Sequence, residues 1–86
     1  MTKHQHDYLL SHLRDLEDSI KYTQNELRSY ADFTGISVSS IAAIASQLNG
    51  LLTEQRTICF TLRHLGYYVV YKDNHAEDIV PIEQEE

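Results

Sequence analysis

Two apolar seams of nearly equal length, separated by one short break, constrain this chain more than anything else in it. Leu9, Leu13, Leu16, Ile20, Thr23, Leu27 and Tyr30 follow one another at spacings of four and three. After the break Ile41, Ile44, Leu48, Leu51, Gln55, Ile58, Leu62 and Leu65 do the same. Alternating three and four keeps one stripe of a helix turned toward a neighbouring helix, with slight supercoiling. The break, Asp32 to Ser37, holds a glycine suited to ending a helix at Gly35 and serines suited to capping the next at Ser37 or Ser39. The expected fold is all-α: an antiparallel two-helix hairpin, with helices over about residues 3–32 and 38–65.

Folding the arms about Gly35 sets Leu9 opposite Leu62, Leu13 opposite Ile58, Ile20 opposite Leu51, Leu27 opposite Ile44 and Tyr30 opposite Ile41. Thr2 with Gln5 offers a capping box for the first arm. Arg14/Asp18, Glu17/Lys21 and Arg28/Asp32 lie at i,i+4 and mark its solvated face. Thr23 and Gln55 are polar seam positions, of the kind that fixes register when buried. Asn49-Gly50 is a turn dipeptide inside the second arm, but the seam passes through it in phase, so one helix is expected there.

The apolar stripe of the second arm is wider than a single partner helix requires. Ala45, Leu52 and Cys59 sit one position after Ile44, Leu51 and Ile58. That breadth predicts a second hairpin packed alongside, giving a homodimeric four-helix bundle. Ala45, Leu48, Leu52, Gln55 and Cys59 are the expected oligomer interface. Small size points the same way: 86 residues with a single cysteine form no intrachain disulfide, and chains this short gain stability by associating.

Gly66 ends the second arm. Tyr67-Tyr68-Val69-Val70-Tyr71 then reads as a short strand by its aromatic and β-branched content, with no other strand in the chain to pair with. The domain boundaries expected are residues 1–71 for the hairpin and its extension and 72–86 for a flexible acidic tail. Phe60, Tyr67, Tyr68, Tyr71, Ile79 and Ile82 are the expected partner-binding residues. On this reading, removing Tyr67–Glu86 abolishes partner binding and leaves the helices intact.

One local motif points elsewhere. Ala31, Gly35, Ile36, Ser37, Ile41 and Ile44 resemble the spacing of a DNA-binding helix-turn-helix unit, over about a quarter of the chain. The resemblance implies a recognition helix over Ser37–Asn49, yet that segment has no lysine or arginine and the net charge is −6. Nucleic acid is therefore not the expected partner, and a helix-turn-helix transcriptional regulator is the alternative reading.

Catalysis has no support: Cys59 lies in an apolar stripe, no glycine-rich phosphate loop is present, and no His/Cys/Asp/Glu set has zinc-ligand spacing. His12 and His64 fall near the same end of the hairpin. No cofactor or metal is expected. With no signal peptide and no membrane-length apolar run, the expected location is the cytoplasm. The functional expectation is a small non-enzymatic protein–protein interaction module, acting as a homo-oligomer that binds itself and a further protein.

Overall fold

The computed structural model describes residues 1–31 and 38–82. Gly35, Ile36 and Ser37, the expected stop, turn and cap, lie outside the described residues, as do Glu83–Glu86. Helix α1 spans Lys3–Ala31 (29 residues) and helix α2 spans Val38–His64 (27 residues). The capping box forms: the Thr2 amide donates to Gln5 Oε1 at 3.0 Å, and the Gln5 amide donates to Thr2 Oγ1 at 3.1 Å. The helices run antiparallel, with Leu9 beside Leu62, Leu27 beside Leu48, and His12 Nε2 at 3.1 Å from Glu54 Oε1.

Helix α2 passes through Asn49-Gly50 without a break. A Cβ built on Gly50 meets nothing within 4 Å. Gly50→Ala is therefore expected to stabilise the chain by about 1 kcal/mol, because it lowers backbone entropy without a clash. A rise in the thermal midpoint checks this; a fall would mean that another surface approaches Gly50 closely. The helix ends at His64 and the chain turns at Gly66, whose φ of 91° is open to glycine and strained for other residues. The Gly66 amide donates to the Arg63 carbonyl at 3.1 Å and closes the last turn.

The stretch after Gly66 corrects the expectation of an unpaired strand followed by a tail without structure. Strand β1, Tyr67–Lys72, pairs antiparallel with strand β2, His75–Pro81. The turn is Asp73-Asn74, with φ of 53° and 64°. Two consecutive left-handed residues match the right-handed twist of a two-residue hairpin loop, and Asp and Asn tolerate that region better than other non-glycine residues. The register runs Val70↔Asp78 and then Tyr71↔Ala76, so Glu77 is an extra residue, a β-bulge. The bulge lets Ala76 and Ile79, three positions apart, both face the interior.

The sheet lies over the open end of the helical hairpin, β2 against α1 and β1 against α2. There Leu10, Leu13, Leu16, Leu62, Ala76 and Ile79 form one buried cluster, with Leu13 and Ala76 at 0% exposure. Leu10 belongs to no seam; it is buried because β2 covers it. Among the described residues, the half of the hairpin nearer the turn has no third layer. Among its described residues only Ile20, Thr23 and Ile44 are buried. Thr23 Oγ1 donates to the Ser19 carbonyl at 2.8 Å, so this seam hydroxyl is satisfied within its own helix and does not set register across the hairpin.

Candidate functional site

Two arrangements stand out: a polar clasp that fastens β2 to α1, and an aromatic groove between β1 and α2. The clasp is built from α1 side chains that the i,i+4 reading assigned to a solvated face. Arg14 and Glu17 do not pair with Asp18 and Lys21. Arg14 Nε donates to the Ala76 carbonyl at 3.0 Å and its Nη2 to the Glu77 carbonyl at 3.3 Å, covering the bulge. Glu17 accepts from the Ala76 amide at 2.5 Å and lies 2.8 Å from His75 Nδ1. Its side chain is only 10% exposed. One helix thus bonds the β2 backbone on both sides of Ala76, next to the bulge.

His6 completes the clasp. Its Nδ1 lies 3.0 Å from Asp7 Oδ1 and its Nε2 lies 2.7 Å from Asp78 Oδ1. Only the protonated ring donates from both nitrogens, so this geometry favours imidazolium. The hydrogen bonds to Asp7 and then to Asp78 raise the His6 pKa above its ordinary 6.5. Asp78 is shifted down, first by His6 and then by the Ile79 amide. The raised His6 pKa contributes stability that is complete below about 6.5 and lost as pH climbs through the folded value. The lowered Asp78 pKa contributes stability that is lost only as pH falls through its own, acidic value. The thermal midpoint is therefore expected to be higher near about pH 5.5 than near about pH 8, with a smaller difference in His6→Ala. An unchanged difference in that variant would remove His6 from the account.

No family model, curated protein or solved structure matches the chain.

The groove has one wall from α2 and one from β1. Arg56, Cys59, Phe60 and Arg63 form the helical wall; Tyr68, Val69 and Tyr71 form the strand wall. The recess measures about 410 Å³. Cys59 Sγ lies 3.4 Å from Tyr71 Oη. Burial first, and then the contact with Cys59, pushes the Tyr71 phenol well above its ordinary value, so it stays neutral. Phe60 is 63% exposed and meets His64 edge-on with ring centroids 4.4 Å apart.

The expected partner-binding residues divide on this geometry. Phe60, Tyr68 and Tyr71 come together in the groove, and Ile82 is exposed at the end of β2. Tyr67 packs against the core. Ile79 is buried at 4% exposure, which corrects its assignment to a docking surface: the bulge turns it inward. Among the expected oligomer residues, Cys59 packs on the core under β1 and Gln55 sits beside Tyr71, so both are engaged within the chain. Ala45 is exposed and Leu48 and Leu52 are half-exposed.

His12 and His64 are not joined: His12 pairs with Glu54 and stacks on Tyr8, while His64 meets Phe60. Among the described residues no group of three or more His, Cys, Asp or Glu side chains stands close enough to hold a metal ion. No described helix is long and apolar enough to cross a membrane.

Proposed function

We propose that this chain is a non-enzymatic interaction module of the cytoplasm that works as a homodimer. Two hairpins close into a four-helix bundle through the half that the sheet leaves uncovered, and each dimer presents its sheet end to a further protein. One observation carries the reading: among the described residues, nothing beyond α1 covers the apolar side of α2 near the turn. Ile41, Leu48 and Leu52 are half-exposed and Ala45 is exposed, while the equivalent surface at the open end lies under β1 and β2. Burial of such a stripe is the usual driving force for association. Leu27 and Tyr30 on α1, also half-exposed, extend the same surface.

A dimer ties folding to concentration, so the thermal midpoint is expected to rise with protein concentration. Leu52→Glu places a charge in the proposed interface and should abolish that dependence while helical circular dichroism persists at low temperature. A midpoint independent of concentration in the parent chain would contradict the dimer. Capture of tagged protein from host extract, with and without nuclease, tests the partner: a stoichiometric protein that survives nuclease supports the module. The helix-turn-helix alternative predicts recovery of nucleic acid instead. It gains nothing from α2, whose first turns, Val38–Asn49, carry no basic residue.

A further inference from the structure

We propose that the groove between α2 and β1 binds an extended acidic segment of a partner protein, which adds as a third strand to the free edge of β1 and sets its carboxylates on Arg56 and Arg63. The inference rests on the interaction-module reading and names the chemistry of the partner.

The sheet has two strands, and β2 is the only strand neighbour of β1 among the described residues. Half of the β1 backbone groups point away from β2, and an extended peptide satisfies such groups directly. Because β2 lies over α1 and β1 over α2, this edge runs along the outer flank of α2. The groove is thus open on the side from which a strand is added.

Phe60, Tyr68 and Tyr71 supply aromatic surface that is exposed in this chain, at 63%, 45% and 40%. Aromatic side chains give large contact area at low entropic cost and concentrate at interface centres.

Charge decides the occupant. Every ion pair among the described residues joins a histidine to a carboxylate. Arg56 and Arg63 therefore have no described carboxylate within ion-pair distance, in a chain with 13 acidic residues and 7 basic ones. They are seven residues apart on α2, about 10.5 Å along one face. An extended peptide repeats its side chains on one face every ~6.7 Å, so acids two or four positions apart fall within reach of the two long guanidinium arms. Guanidinium binds carboxylate in a bidentate fork, which makes these positions selective for acids. The larger recess at the open end, about 560 Å³ and lined by residues including Met1, Tyr8, Leu9, Leu62 and Leu65, has one cation, the Met1 ammonium, and this already donates to Tyr67 Oη at 2.9 Å.

The test uses the full chain and two fluorescein-labelled peptides, one alternating glutamate with valine and one alternating lysine with valine, followed by fluorescence anisotropy. The expected result is saturable binding of the glutamate peptide only. Arg56→Glu and Arg63→Glu should each weaken it about tenfold or more. Both side chains are exposed, so the variants are expected to fold, and circular dichroism verifies this. Amides of Tyr67–Lys72 should exchange hydrogen more slowly with the peptide bound. Binding of neither peptide, binding of the lysine peptide, or binding that survives both charge reversals would overturn the proposal. Binding seen only in a chain ending at Ile82 would also overturn it, by assigning the groove to the chain's own Glu83–Glu86. The concentration dependence of the thermal midpoint is read separately, so a failed peptide titration does not bear on the dimer.

Discussion

A chain ending at Gly66 is expected to lose its cooperative thermal transition. The truncation leaves both helices and their seams whole, yet it removes Ala76 and Ile79 from the buried cluster and Tyr67 and Val69 from its border. Leu10 and Leu13 then face water. Arg14, Glu17 and His6 lose the backbone and carboxylate partners that hold them to β2. Two helices of this length with one seam between them bury little surface, and a chain of this size has only a few kcal/mol to lose. Partial helicity with a broad, shallow melt is the predicted outcome. A sharp transition within a few degrees of the parent chain would mean that the sheet is an appendage. The same geometry corrects the expectation that Tyr67–Glu86 can be removed without disturbing the helices: a partner lost on that deletion reports unfolding as readily as a lost interface.

Leu13→Ala should be the most damaging single truncation of a side chain. Leu13 is fully buried, held between the helix seam and the underside of β2. Deleting a buried leucine to alanine costs about 3–5 kcal/mol where the surroundings do not collapse. Here they are pinned on three sides, by α2, by the sheet and by the polar clasp. For a domain of this size that loss lowers the midpoint by roughly 12 °C or more. Tyr22→Ala is the matched control: the ring is 70% exposed and its removal should change stability by about 0.5 kcal/mol or less. Equal effects from the two substitutions would contradict the placement of the core at the open end.

The helices were legible because their pattern is long and periodic: fifteen seam positions hold one alternation of three and four without a slip. Strand β1 was legible from Tyr67-Tyr68-Val69-Val70-Tyr71. Strand β2 was not, and the reason is the bulge. Its two buried residues, Ala76 and Ile79, are three apart, with acids at Glu77 and Asp78 between them, so no period of two appears. Asp73-Asn74 was the available signal, a two-residue turn that tolerates left-handed backbone directly after a strand. The clasp was hidden for a different reason. His6, Arg14 and Glu17 look like ordinary surface charge at helical spacing, and only a strand above them turns that face inward. Leu10, an apolar residue beside the seam among those polar groups, was the trace of it. The groove was partly visible: Phe60, Tyr68 and Tyr71 were grouped by their nearness to the open end, whereas Arg56 and Arg63 join them only once β1 is laid against α2.

On the proposed reading, a second copy of this chain closes the uncovered apolar half of the hairpin. Sedimentation equilibrium of the full chain at micromolar concentration tests it most directly. A species of about twice the 10.0 kDa chain mass is expected, reduced to the chain mass in Leu52→Glu without loss of helicity. A parent chain that sediments at 10.0 kDa across the concentration range would contradict it.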